Sequence, residues 1–189
     1  MHLKYDNITI SGGVGVGTST LMNNLKPYLK PMDWKFKSTG EIIRKYTKEQ
    51  IMPSATLVSD EYDRVIEKTA KNLLSNQKHW VIEAWLSGFI ARDMKKVLRI
   101  LLVCSDDALR VDRVANRDRI TIKQAKKNIG LRYEQNFGKW KRLYGNYNFF
   151  NTKYFNLIID TYSSGQFETT KKVLDKLGFI NKKLKITKS

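Results

Sequence analysis

The glycine-rich segment at residues 12–17 constrains the fold of this chain more than any other feature. Four of its six residues are glycine, and such a sequence resists both helix and sheet because ordering glycine costs the most backbone entropy. The preceding residues, Asn7–Ser11, include the β-branched side chains typical of a short strand. The following leucines recur at helical spacing: Leu21, Leu25 and Leu29. The sequence therefore predicts a strand, a tight loop and a helix in direct succession.

Four further short apolar segments are predicted to be strands, and helical segments separate them. These strands cover residues 34–37, 80–82, 97–103 and 154–159. Helices are predicted to begin at residues 18 and 38 and to cover residues 60–74, 106–117, 122–143 and 167–177. This alternation predicts an α/β protein with a five-stranded parallel sheet and helices on both faces. Ligands in such folds bind beyond the carboxyl ends of the strands.

The glycine loop matches a phosphate-binding spacing with one exception. Gly12, Gly17, Thr18 and Ser19 fit G-x-x-x-x-G-K-[ST], but Thr18 stands where lysine is expected. Backbone N–H groups of such a loop, and the positive end of the helix after it, attract phosphate, and Ser19 would place a hydroxyl on Mg²⁺. Without the lysine, either another cation reaches the phosphates or the site no longer does chemistry. The alternative is a glycine turn with no ligand; the NAD pattern G-x-G-x-x-G fits no register here.

Composition narrows the class of protein further. The chain has 189 residues, long enough for a full core, and we expect one domain over residues 1–189. One cysteine and two histidines are too few for a disulfide or for a metal site built from these residues. No apolar run approaches the roughly 20 residues that span a bilayer. These observations predict a cytoplasmic protein with no membrane association.

The charge of the chain is strongly basic and its arginines are clustered. Thirty-five basic residues against eighteen acids give a net charge of +17, which attracts polyanions. Six of the ten arginines lie between Arg110 and Arg142. We expect residues 110–145 to form a mobile lid that closes over the phosphates and supplies the charge that Thr18 lacks. A solvated pair of basic helices is the alternative. The arginines expected to act on the transferring phosphate are Arg113, Arg117 and Arg132.

Several segments together resemble the cytidylate kinases of the archaeal type. They are the glycine loop with its flanking strand and Thr20, the run Ser38-Thr39-Gly40-Glu41-Ile42-Ile43-Arg44, the strand ending at Glu83 with Leu86-Ser87-Gly88, and Arg132 with the stretch from Lys139 to Gly145. The likeness extends over nearly all of residues 7–170. Threonine sometimes stands at the lysine position in that family. The Ser-Thr-Gly-x-x-x-Arg run narrows the resemblance to nucleoside monophosphate kinases.

The resemblance implies a three-layer P-loop NTPase fold with a helical lid, an acceptor-binding segment near residues 38–75, and ATP and Mg²⁺ as cofactors. The residues implied for ATP are Gly12, Gly13, Gly15, Gly17, Thr18, Ser19 and Thr20. Those implied for the acceptor are Ser38, Thr39, Gly40 and Arg44, whose planar guanidinium matches a phosphate. Ser19 and Glu83 would hold the metal and its water shell. For Glu83, a helix-capping or salt-bridging role is the alternative.

One departure from the family pattern concerns the acceptor side. The family usually has glycine and arginine after the third-strand carboxylate, whereas this chain has Ala84 and Trp85. Arg92 would replace the arginine if a short helix turned it back. Asp60 and Asp63, three residues apart on one helix face, would either read an amino group of the acceptor base or form a solvated face.

Three functions fit these observations. The first is a kinase that transfers the γ-phosphate of ATP to a pyrimidine monophosphate, CMP or dCMP. The second is a kinase of the same fold for another small phosphorylated or hydroxyl acceptor, which Trp85 motivates. The third, less favoured, is a basic nucleic-acid-binding protein on a degenerate kinase fold, with aromatic residues available for stacking on bases. Those aromatics are Trp140, Tyr144, Tyr147, Phe149 and Phe150. Nucleotide substrates are the expected partners, and nothing in the sequence specifies an oligomeric state.

Overall fold

Five parallel strands form the central sheet. The computed structural model describes residues 3–47 and 58–179, apart from the side chains of residues 44–47. The strands are β1 (Asn7–Ser11), β2 (Lys35–Ser38), β3 (Trp80–Glu83), β4 (Val97–Val103) and β5 (Leu157–Asp160). They lie in the spatial order β2-β3-β1-β4-β5, and every neighbouring pair is parallel. The predicted five-stranded parallel sheet is confirmed.

Helices connect the strands, close to the predicted positions. They are α1 (Thr18–Leu29), α2 (Thr39–Thr47), α3 (Asp60–Asn76), α4 (Ser87–Ile90), α5 (Asp107–Asp118), α6 (Ile122–Tyr144) and α7 (Gln166–Leu177). The short α4 was not predicted. The last strand begins three residues later than expected because Thr152–Tyr154 forms a 3₁₀ turn. Among the described helices, none combines the length and the apolar composition needed to cross a bilayer.

Helices cover both faces of the sheet, as predicted. On one face, α1 and α7 bury Leu25 and Leu177 against Ile10 of β1 and Ile100 of β4. On the other face, α3 packs Ala70 and Leu74 against Ile82 and Val97. These side chains are nearly inaccessible to water, and burying each of the leucine, isoleucine and valine side chains contributes roughly 1.5–3 kcal/mol. The two clusters therefore fix β1 and β3, the strands whose carboxyl ends border the glycine loop.

Helices α5 and α6, the predicted lid, pack on each other and on that loop. Val111 and Val114 of α5 form an apolar cluster with Ile129 of α6 and Val14 of the loop. A capping box fixes the start of α6, since the Thr121 side chain accepts a bond from the Gln124 N–H while Gln124 reaches back. In this structure the two helices thus lie against the phosphate loop.

Candidate active site

A cleft of about 1030 Å³ opens beyond the carboxyl ends of the strands, where the topology predicts a ligand site. Gly15 and Gly17 have φ angles of 79° and 92°, which side chains with a Cβ rarely adopt. Gly12 lies behind the cleft, where a Cβ would come within 2.8 Å of the Leu102 carbonyl oxygen. The remaining residues predicted to bind ATP all line the cleft: Gly13, Gly15, Gly17, Thr18, Ser19 and Thr20.

Glu83 at the end of β3 accepts hydrogen bonds from three hydroxyl groups. Thr18 Oγ1 donates to Glu83 Oε1 at 2.7 Å, with Ser19 Oγ at 3.4 Å from the same oxygen. Ser38 Oγ donates to Oε2 at 2.5 Å. The side chain at the position where lysine was expected is therefore directed at the carboxylate. Carboxylate and hydroxyl oxygens are the ligands that Mg²⁺ prefers, so this cluster fits the predicted metal site.

The three arginines predicted to act on the phosphate all line the cleft but have different environments. Arg113 donates to the side chain and the carbonyl of Thr161, both at 2.9 Å, and so ties α5 to the segment after β5. Arg117 is paired with the adjacent Asp118 at 2.7 and 2.8 Å. The Arg132 guanidinium carbon lies 5.7 Å from the ring centre of Trp85. Because Arg117 already has a carboxylate partner, it must exchange that partner to reach a phosphate.

Of the residues predicted to bind the acceptor, some line the cleft and others do not. Thr39 and Gly40, at the start of α2, line the cleft. Ser38 is buried behind them, bonded to Glu83, and accepts the Glu41 N–H at 3.3 Å. The side chain of Arg44 lies outside the described residues. Arg92 is not among the described residues lining the cleft, since its guanidinium donates to the Phe89 carbonyl at 3.0 Å and lies over the Phe89 ring.

Polar contacts between α3 and α6 border the acceptor side. Asp60 binds Arg142 at 2.8 Å, which lowers the pKa of that carboxyl. Lys139 Nζ lies 2.5 Å from Asp63 Oδ2, yet burial still raises the pKa of Asp63. Asp63, but not Asp60, is among the described residues lining the cleft. The two aspartates thus hold the helices together rather than forming a solvated face.

Glu67 lies one turn further along α3 and was missed by the sequence analysis. Its carboxylate accepts a hydrogen bond from the Tyr144 hydroxyl of α6. Burial raises the pKa of Glu67 to about 7. Glu67 and the adjacent apolar residue Ile66 both line the cleft. Sequence offered no signal for this residue beyond its i+4 spacing from Asp63, because the burial comes from α6.

Aromatic residues singled out as base-stacking candidates mostly pack inside the protein. Trp140 is 7% exposed and Phe149 is fully buried. The Trp85 ring lies 5.5 Å from Trp140 and 5.1 Å from Tyr133, so Trp85 forms a wall of the cleft. Tyr147, at 46% exposure, is an outlying member of the cluster. These rings join α6 to the residues beneath it.

Solved structures with the same architecture include an uncharacterized protein and two kinases. An uncharacterized protein from Eubacterium ventriosum has a TM-score of 0.70 at 13% identity, covering 92% of this chain and 98% of that one. A gluconokinase from Sinorhizobium meliloti has a TM-score of 0.57 at 11% identity and covers 100% of both chains. A shikimate kinase from Acinetobacter baumannii, in complex with shikimate, has a TM-score of 0.52 at 14% identity, covering 90% and 92%. The fold is that of the P-loop kinases.

Sequence comparison identifies the family. The cytidylate kinase of Methanosarcina acetivorans is 27% identical over 168 residues, covering 86% of this chain and 91% of that protein. The cytidylate kinase of Pyrococcus abyssi is 31% identical over 180 residues, covering 90% and 94%. The profile of the cytidylate kinase-like family matches residues 28–163. With these matches spread over most of its length, the chain belongs to the cytidylate kinase-like family.

Proposed function

We propose that this kinase transfers the γ-phosphate of ATP to a pyrimidine nucleoside monophosphate, CMP or dCMP. The observation that carries the proposal is the position of Glu83 between the phosphate loop and the segment that begins at Ser38. Its one carboxylate accepts from Thr18 and Ser19 of the phosphate loop and from Ser38 of the acceptor segment. A metal held by this carboxylate would lie between the phosphate loop and the predicted acceptor segment. Similarity to cytidylate kinases supports a pyrimidine as the base.

The residues present fit ATP and Mg²⁺. Backbone N–H groups of the loop and of the first turn of α1 would hold the triphosphate, with Ser19 and Glu83 at the metal. Arg113, Arg117 and Arg132 would neutralise charge on the transferring group, which is most of what phosphoryl transfer requires of a protein. Thr39 and Gly40 would contact the acceptor, with Ser38 positioning them and Arg44 on its phosphate.

A second candidate is a P-loop kinase for another small acceptor. The side chains of Asp63 and Glu67 line the acceptor side, and Trp85 stands where the family usually has arginine. Arg92, just beyond α4, is bound to the carbonyl of Phe89 in that helix and so does not supply that charge. An acceptor with hydroxyl or amino groups would match carboxyl groups in this position better than a phosphate would.

A coupled assay of ADP release over a panel of acceptors tests the proposal. We expect CMP or dCMP to give the highest kcat/KM among the ribo- and deoxyribonucleoside monophosphates. The Gly17→Val variant, which places a side chain at a φ of 92°, serves as the inactive control. Turnover of none of the monophosphates overturns the proposal, and turnover of a small hydroxylated acceptor instead supports the second candidate.

A further inference from the structure

Tyr133 of α6 lies directly on the phosphate loop. A Cβ added to Gly13 would be only 1.6 Å from the Tyr133 hydroxyl oxygen, so the two residues are in close contact. The nearby backbone N–H of Val14 acts to lower the pKa of this hydroxyl, against the effect of burial. Loop N–H groups of this kind are the ones that receive phosphate oxygens. In this structure the tyrosine oxygen therefore occupies a position suited to a phosphate oxygen.

Arg110 of α5 stands behind the hydroxyl. Its Nη1 donates to the Tyr133 oxygen at 3.2 Å, and its guanidinium carbon lies 5.5 Å from the ring centre. The helix is held close because a Cβ on Gly15 would come within 2.7 Å of the Arg110 carbonyl oxygen. Nε of Arg110 is buried and has no hydrogen-bond partner among the described residues. A cation and a hydroxyl are thus brought to the loop together.

The loop lacks the ammonium that usually neutralises the terminal phosphate. Thr18 occupies that position, and its hydroxyl is committed to Glu83 at 2.7 Å. Of the three arginines predicted to supply the charge, Arg117 is paired with Asp118, and Arg113 is bonded mainly to Thr161. Arg110 is itself paired with Asp107, but the Tyr133 hydroxyl to which it donates already lies against the loop at Gly13.

We propose that Tyr133 and Arg110 form the γ-phosphate site that takes over the role of the missing lysine. The hydroxyl holds the site in the absence of nucleotide. When a triphosphate binds, its terminal oxygen accepts the Val14 N–H, and the Tyr133 hydroxyl donates to that same oxygen with the Arg110 charge behind it. The inference rests on the proposed binding of ATP at this loop and does not depend on the acceptor.

The surroundings of Tyr133 suit a donor that can move a short distance. Burial raises the pKa of the phenol, although Arg110 opposes this, so the hydroxyl keeps its proton to donate. The ring stacks on Phe137 and leans on Trp85, with centroids 5.8 and 5.1 Å away. To admit an oxygen between hydroxyl and loop, the ring must retreat by roughly 2.7 Å, the length of one O–H···O bond. A movement of that size is compatible with α6 acting as a lid.

The Tyr133→Phe variant tests the site by calorimetry without an acceptor. The titrants are ADP and an ATP analogue with a β,γ-imido bridge, both with Mg²⁺. We expect the variant to lose about tenfold to hundredfold in affinity for the triphosphate, as for a hydrogen bond to a charged group, and to bind ADP unchanged. Tyr147→Phe, which alters a half-exposed tyrosine outside the cleft, should change neither affinity.

Arg110→Gln provides a second probe, with the same selective loss expected. Equal changes in affinity for both nucleotides would overturn the inference. Tighter binding of the triphosphate by Tyr133→Phe would also overturn it, because removing a hydroxyl that only blocks the site would raise the affinity. If the wild-type protein binds the analogue but phosphorylates no monophosphate, the proposed function is overturned. The affinities of the variants then still decide whether Tyr133 and Arg110 form the γ-phosphate site. A wild-type protein that binds neither nucleotide overturns both.

Discussion

Glu83 is an 8% exposed carboxylate whose burial is offset by hydroxyl donors from three different segments of the chain. A buried charge is costly unless it is hydrogen-bonded, and here the donors come from Thr18, Ser19 and Ser38. Rotatable hydroxyls can also turn to bind a metal's water or a phosphate oxygen without leaving the carboxylate unsolvated. The cluster is thus both stable without ligand and able to accept one.

The Glu83→Gln variant separates these two roles. The amide keeps the shape and one acceptor, so we expect the fold to be retained. It removes the charge that orients the metal's surroundings, and loss of such an outer partner typically costs about 10–100-fold in metal affinity or activity. Titrating Mg²⁺ against kinase activity measures the shift. Unchanged Mg²⁺ dependence would show that Glu83 serves only to position the hydroxyls.

The sequence placed Glu83 at a strand end and near Ser19, but it did not indicate the bonds of Glu83 to Thr18 and Ser38. Ser38 meets Glu83 because β2 and β3 pair in parallel with these two residues opposite each other. That register is a tertiary property, and no local pattern specifies it. For the same reason Thr18 looked like a missing lysine rather than a donor to a carboxylate 65 residues away.

Helices α3 and α6 are joined by a row of polar contacts at successive turns of α3. Asp60, Asp63 and Glu67 face Arg142, Lys139 and Tyr144 respectively. The sequence predicted both helices within a few residues, because their apolar spacing is regular. It could not predict that the acidic face of one lies along the basic face of the other. The row joins α6 to the part of the cleft wall that α3 forms.

Glu67 makes this junction sensitive to pH. Its pKa is about 7 in the folded protein, against about 4.3 for a glutamate in an unfolded chain. Between these values the folded state holds a proton that the unfolded state has released, so the free energy of unfolding falls as pH rises. Between about pH 5 and about pH 8, we expect the free energy of unfolding to fall more in wild type than in Glu67→Gln, which cannot titrate. The difference should be on the order of 2 kcal/mol, after allowing for partial exposure.

Urea unfolding at several pH values measures this difference. Asp63, whose pKa is also raised, is present in both proteins, as are Lys139 and Arg64, so the comparison isolates Glu67. Glu61→Gln, on the exposed face of the same helix, is the matched control and should follow wild type. Parallel curves for wild type and Glu67→Gln would contradict the assignment of the titration to this residue.

At the scale of the whole molecule, the net charge of +17 and the aromatic residues beside the basic ones admitted nucleic-acid binding as a third function. The structure makes most of these aromatic residues unavailable for stacking on bases. Trp140 of α6 and the Phe149 ring that packs on it are buried, and Tyr144 donates to Glu67. Stacking on single-stranded bases needs exposed rings along a basic groove. What remains is charge spread over the surface, which attracts any polyanion.

Charge alone predicts binding to RNA that disappears as salt rises. For a single strand, log K falls by about 0.7 per phosphate contact for each tenfold increase in salt. With about five contacts, raising salt from about 50 to about 200 mM would weaken binding on the order of hundredfold. Fluorescence anisotropy with a labelled single-stranded RNA measures this slope. Tyr147→Ala removes the partly exposed ring and should leave the affinity unchanged at every salt concentration. Affinity that persists at the higher salt, or that falls in Tyr147→Ala, would reveal a stacking groove and restore nucleic acid as a specific partner.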